Sequence, residues 1–332
     1  MTGEQPPELS TEQPIELTVE SRAHGWRIDH YLSRLFPNYS RALFQKAIAS
    51  GKVLLNGLSV KTSRRLRVND RLSVQLPDLP DESLPAEDIP LDILFEDDAL
   101  VVINKPANMI VHPGKGNYRG TLAGALQFHF DSLSDVAGRF RPGIVHRLDR
   151  DTTGVIIIAK DNQVHSQLSG QFERREVSKE YRAICHGVFN LDRDQLENYQ
   201  RVHPKKREKM CVCEPGGNAR FASTFYEVLE RFDAFTYVRL CPKTGRTHQL
   251  RLQMQHLGHP IVADALYGSR AELRRSDLKG PPRIPPEEND VLIARQALHA
   301  FRLEFKHPRS GHPLEFEAPL PEDMLQTLDA LR

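Results

Sequence analysis

The sequence predicts an α+β protein: a large domain on a mostly antiparallel central sheet, preceded by a small α/β module. Three observations carry this expectation. Apolar, strand-length runs recur at Leu100 to Ile103, Val155 to Ala159, Ala219 to Leu229 and Phe235 to Cys241. Helical patterns sit between them, notably at Thr121 to His129 and Asn162 to Glu173, a mixture typical of α+β folds. Charge is strongly segregated: Ser21 to Leu76 holds eleven Lys or Arg against two acids, a net +9. Pro77 to Asp98 then holds nine acids and no base.

Residues 1–20 are rich in Glu, Pro, Gln and Thr and predict a disordered tail. Residues 21–76 read as a compact module. Ile28, Tyr31, Leu32 and Leu35 share one helical face that ends at Pro37. Ser40 can cap a second helix with Leu43, Phe44, Ala47 and Ile48 inward and Gly51 as its stop. Val53 to Leu55, Asn56-Gly57 and Leu58 to Val60 form a strand-turn-strand signal, and Arg71 to Leu76 an alternating strand. Residues 77–90, with four prolines and five acids, predict a stiff extended linker. Residues 91–332 form the large domain, with a surface loop over 270–290.

Hydrophobic content of 39% and charged content of 27% fit a globular chain. No apolar run approaches the ~20 residues of a membrane span, and no signal-peptide layout opens the chain. A cytoplasmic protein that does not engage membranes is expected. Cys185, Cys211, Cys213 and Cys241 lack the paired spacing of a zinc site, so no metal is expected. Nucleotide-binding glycine motifs and H-E-x-x-H are likewise missing, and no cofactor is expected. The +9 segment points to a polyanionic partner.

The most informative stretch is GIVHRLDRDTTGVIIIAK, Gly143 to Lys160. A charged knot lies between apolar β-branched runs, and Asp151-Thr152-Thr153-Gly154 is ordinary turn chemistry. Asp149 is different. Beside a buried sheet a carboxylate costs several kcal/mol unless cations or donors hold it. On residue types alone, a structural salt bridge and a catalytic acid both remain open. Asp149-Arg150-Asp151-Thr152-Thr153 also fits D-x-D-x-T, a phosphatase nucleophile motif, but His146-Arg147 interrupts the strand such a motif follows. Thr247 can cap a helix running to Leu257, with Leu250, Met254 and Leu257 on its apolar stripe. Arg251 falls one residue off that stripe, at the border of the buried face.

HRLDRDTTG followed by an apolar strand and Ala-Lys resembles the signature of the RluA/RluD-type pseudouridine synthases. NKPANMIVHPGKGNYRGTL at 104–122, SKEYRAICHG at 178–187, KTGRTHQLRLQMQHLGHPIVAD at 243–264 and RQALHAFRLEF at 295–305 are similar to the family's other blocks, in the same order. The resemblance spans about residues 22 to 322. It implies an RNA-modifying isomerase that flips a uridine, breaks its glycosidic bond and rejoins base to sugar through carbon. It implies Asp149 as the catalytic aspartate, Arg251 as its partner and Tyr181 as the ring stacking on the flipped uracil. Arg147 would fill the space vacated in the RNA and Leu250 would close the pocket.

The helix-helix-hairpin module, with Ser40-Arg41, Gly51-Lys52-Val53 and Asn56-Gly57, resembles the small RNA-binding domain of the ribosomal-protein S-four type. By that resemblance Arg41, Lys46 and Lys52 lie on its RNA face. The expected partner is RNA, of the large ribosomal subunit, bound by a monomer. The competing readings are a catalytically silent RNA-binding protein of the same fold and a D-x-D-x-T phosphatase.

Overall fold

A computed structural model describes residues 14–36, 39, 41–76, 84–114, 119–138, 140–278 and 290–332. The chain divides into two compact units, Met1–Ser83 and Leu84–Arg332.

In the first unit, β1 (Ile15–Thr18), α1 (Ile28–Leu35), α2 (Arg41–Ala49), β2 (Val53–Leu55), β3 (Leu58–Ser59) and β4 (Arg71–Val74) follow in order. The strands make one antiparallel sheet, β1-β4-β2-β3. Ile28, Leu32, Phe44, Ile48, Val53, Leu72 and Val74 form its buried core with the two helices. Asn56 (φ 51°) and Gly57 (φ 79°) adopt the paired positive φ of a tight hairpin. Two expectations need correction. The disordered tail does not reach residue 20: Ile15 and Leu17 pack on the core, and β1 pairs with β4 from Ile15↔Val74 to Thr18↔Arg71. Leu35 is 39% exposed, because Phe36 turns inward and packs 6.0 Å from Phe44 instead. Pro37 and Ser40 lie outside the described residues.

The second unit carries β5 (Ile93–Glu96), β6 (Leu100–Lys105), α3 (Leu122–His129), β7 (Thr153–Ala159), α4 (Asn162–Glu173) and β8 (Ser178–His186). After these come β9 (Arg193–Val202), β10 (Met210–Cys213), β11 (Arg220–Arg231), β12 (Phe235–Pro242) and α5 (Gln249–His256). The chain finishes with β13 (Leu273–Arg274), β14 (Val291–Ile293), β15 (Leu298–Lys306), β16 (Pro313–Glu317) and α6 (Glu322–Leu331). Thr121 and Asp161 cap α3 and α4, accepting from the N–H of Gly124 and Val164.

One sheet holds ten of these strands in the order β10-β9-β11-β12-β8-β15-β7-β6-β5, with β16 on β15. Every pairing in it is antiparallel except one. β15 meets β7 in parallel over two residues, His299↔Thr153 and Ala300↔Gly154. That seam requires glycine: a Cβ on Gly154 (φ 112°) would lie 2.1 Å from the Ala300 carbonyl oxygen. β7, β6 and β5 stand on one side of the seam, and β8 to β12 on the other.

The expected linker is shorter than its composition implies. Residues 77–83 lie outside the described residues, but Leu84 is buried among Val101, Met109 and Leu126. The Glu87 N–H donates to the Gly124 carbonyl, and Glu87 Oε2 accepts from the Gly120 N–H. Residues 84–90 therefore belong to the second unit, because their apolar members find a core. The expected 270–290 loop contains β13, whose buried Leu273 pairs with buried Ile293 of β14, and residues 279–289 lie outside the described residues.

Candidate active site

Asp149 sits on the turn that leads into β7, where its carbonyl accepts from the Thr152 N–H. Its side chain is 20% exposed. The residues after it are each held by a different side chain. Lys105, fully buried at the end of β6, donates to the carbonyls of Pro106, Met109 and Arg150. Burial pulls its ammonium down to about 7, against the attraction of Asp151 and Asp149. Arg295 donates to the Asp151 carbonyl while its fork grips Asp323 at the start of α6. Gln296 donates to Thr152 Oγ1, and His299 Nδ1 lies 2.8 Å from Thr153 Oγ1. The turn is thus built from groups 45 and about 145 residues away. A turn with so many fixed neighbours presents one carboxylate in one place.

α5 supplies the cation. Its first residue is not announced by Thr247: His248 precedes the helix in the left-handed region (φ 53°) and makes no side-chain cap. The Gln249 side chain closes this end instead, its Oε1 accepting from the Arg246 N–H and the Thr244 hydroxyl. One turn on, Arg251 is buried rather than at the border. Its Nε and Nη2 donate to Asp264 at 2.6 and 2.8 Å, and its Nη1 donates to Asp149 Oδ2 at 3.0 Å. Asp264 is fully buried and also accepts from the N–H groups of Leu266 and Tyr267. Burial raises the Asp264 carboxyl, but the Arg251 fork and those N–H groups outweigh it and hold it below the ordinary range. Burial likewise opposes the Arg251 charge, and the two aspartates raise its pKa above normal. His248 Nε2 stands 3.8 Å from Asp149 Oδ1, with its Nδ1 3.1 Å from the Tyr267 hydroxyl.

A cavity of about 550 Å³ opens over this pair, lined by Arg147, Asp149, Tyr181, His248, Leu250 and Arg251 among others, within the range of small-ligand sites. Tyr181 comes from β8 and is half-buried between two core clusters. Burial, and then the negative charge of Asp149, push its phenol well above its usual value, so it keeps its proton. Leu250 is buried and Arg147 exposed at the cavity wall. The five residues singled out in the second unit therefore converge on one cavity. The phosphatase motif does not: Thr153 faces His299 and Asp151 pairs with Arg150.

In the first unit, Lys46 and Lys52 are exposed. Arg41 is half-exposed and already committed, its guanidinium donating to the fully buried Asp29 together with Arg27 and Gln45. Those hydrogen bonds lower the Asp29 carboxyl despite its burial.

Two histidines brace the strand after the turn. His146 Nε2 accepts from the Ile157 N–H at 2.9 Å, and His299 joins Thr153 to the Ala318 carbonyl. Burial holds them neutral, at about 3 and about 4. Between those values and ~6.5 the unfolded chain binds more protons than the folded one, so stability falls as pH falls through that window. Going from pH 7 to pH 5 is expected to remove up to about 2 kcal/mol per histidine. Urea unfolding at both pH values checks this, and the loss should shrink in His146→Gln, whose amide oxygen can still accept from Ile157.

Residues 99–256 match the family model described as RNA pseudouridylate synthase, and residues 26–72 match the S4 domain. The chain is 39% identical over 325 residues to ribosomal large subunit pseudouridine synthase D of Salmonella typhimurium, covering 96% of this chain and 94% of that one. It is 37% identical over 318 residues to an RNA pseudouridine synthase of Bacillus subtilis, covering 96% and 98%. Among solved structures, human RNA pseudouridylate synthase domain containing 1 superposes with a TM-score of 0.53 at 25% identity, over 74% of this chain and 96% of that one. With an S4 domain ahead of it and near full-length identity to these enzymes, the chain belongs to the RNA pseudouridylate synthase family.

Proposed function

We propose that this protein isomerises uridines of large-subunit ribosomal RNA in the cytoplasm, with Asp149 as the essential carboxylate. One observation supports the assignment most directly. A single arginine, fixed from behind by a buried aspartate, turns its remaining N–H toward Asp149 beside a tyrosine in one cavity. Such a charge-assisted hydrogen bond holds the carboxylate in one position at the cavity. The reaction breaks the bond from N1 to C1′, rotates the base, and joins C5 to C1′. C5 loses a proton and N1 ends with one, so no electrons are exchanged with a partner. Tyr181 receives the flipped ring, which costs a few kcal/mol to unstack and regains part of that by stacking. Its protonated hydroxyl can pass on the C5 proton. Arg147 occupies the gap left in the RNA, and Leu250 closes the cavity.

The test is a map of pseudouridines in cellular RNA with and without this gene. Loss of sites in large-subunit ribosomal RNA is the expected outcome. Loss confined to transfer RNA would redirect the substrate, and an unchanged map would overturn the reading.

The first unit is assigned to phosphate binding, through Lys46 and Lys52 and with Arg41 secondary because Asp29 holds it. A chain starting at Leu84 is expected to bind ribosomal RNA more weakly and still convert uridine at high enzyme concentration. The salt slope of binding should fall by about 0.7–0.9 for each phosphate the shorter chain no longer neutralises. Filter binding at several salt concentrations checks this, and equal affinity with an equal slope would leave the basic module a solvated face.

A further inference from the structure

The cavity holds more positive charge than the isomerisation uses. Arg147, Arg175, Lys179, Lys243, Arg246 and Arg251 line it, against the carboxylates of Asp149 and Glu173. Among the described residues, only Arg251 of these six makes an ion pair. Uracil and ribose are neutral, so the anions an RNA strand brings to such a wall are its phosphodiesters. Lys179 is the informative member. It is half-buried, and neither it nor Arg175 lies within ion-pair distance of an acid among the described residues. Next to Arg175, Arg174 spends its charge on Glu176. Burial lowers the Lys179 ammonium and the nearby Arg175 charge lowers it further, so the two cations repel each other across a shared wall. Exposed Gly245 leaves one side of the amine uncovered, since even an added Cβ there would stand 3.9 Å from Nζ.

We propose that Lys179 and Arg175 form a phosphodiester subsite that grips the RNA backbone beside the flipped uridine. Lys179 and Tyr181 are two residues apart on β8 and so face the same side of the sheet, about 7 Å apart along the strand. That spacing is within the reach of one nucleotide, so a ring on Tyr181 brings its own or a neighbouring phosphate to Lys179. The ammonium and the guanidinium supply donors that neutral sugar and base do not require, and a bound phosphate relieves their mutual repulsion. The subsite rests on the pseudouridine synthase reading and assigns a substrate contact within it.

The experiment uses the full chain and unmodified large-subunit ribosomal RNA transcribed in vitro, comparing wild type with Lys179→Met, Lys179→Arg and Arg175→Ala. Lys179→Met is expected to raise KM about tenfold or more with kcat little changed. The salt slope of binding should fall by about 0.7–0.9. Lys179→Arg should restore both, and Arg175→Ala, at an exposed position, should move both in the direction of Lys179→Met. Loss of kcat with KM and salt slope unchanged would overturn the subsite, as would no effect in both Lys179→Met and Arg175→Ala. Wild-type enzyme that forms no pseudouridine in this RNA would instead overturn the broader reading.

Discussion

Replacing Asp149 with asparagine is expected to abolish pseudouridine formation while RNA binding and folding persist. The change keeps volume and removes the charge. Folding should survive because Arg251 keeps its two hydrogen bonds to Asp264, so no buried cation is left alone. Neither nearby aspartate can stand in: Asp151 is paired with Arg150, and Asp264 has both oxygens on Arg251. Activity should fall by at least about a hundredfold, the scale on which a positioned proton-transfer or nucleophilic group acts. Tritium release from RNA labelled at uridine C5 measures it, with filter binding as the control for RNA affinity. A variant retaining more than about a hundredth of wild-type activity would remove Asp149 from the chemistry.

Arg251→Met should be severe for a second reason. It strips the cation from Asp264, which is fully buried, as well as from Asp149. Breaking a buried pair by removing one partner costs about 3–5 kcal/mol, a large share of a stability of about 5–15 kcal/mol. The variant should therefore melt lower and be inactive. Adding Asp264→Asn to it removes the stranded charge and should recover much of the Tm with no recovery of activity. Recovery of both would make the arginine a scaffold for Asp264 alone. Lysine is no substitute, since one ammonium lacks the planar fork that holds both Asp264 oxygens and still reaches Asp149.

Local pattern made much of the fold legible. The helix expected over Asn162 to Glu173 has those bounds, and the apolar runs at Leu100 and Val155 are adjacent strands. Apolar runs, helical spacing and caps are properties of a few neighbouring residues, which a sequence displays directly. The convergence of Asp149, Tyr181 and Arg251 on one cavity was readable only through motifs, because the Arg251–Asp149 bond spans 102 residues. Lys105, Arg295 and Gln296 escaped notice as the frame of the Asp149 turn for the same reason: each acts through a distant carbonyl or hydroxyl. Asp264 closes the block at 243–264 with no role of its own announced there, yet it is what fixes the Arg251 fork. His248 is a different failure. Its left-handed backbone displaces the helix start from Thr247, and nothing in a histidine's identity announces that conformation.

The two-residue parallel seam has a consequence for a chain still being made. A polypeptide grows from its N-terminus, so residues 26–72 leave the ribosome before the carboxylate of residue 149. Arg251 emerges about a hundred positions later, but even then β7 and β8 do not share a sheet. That join waits for His299 and Ala300, about 140 residues beyond the end of β7. A nascent chain thus exposes its basic module long before it owns a working site. The enzyme can meet RNA before β15 exists and alter it only once that strand has joined the sheet.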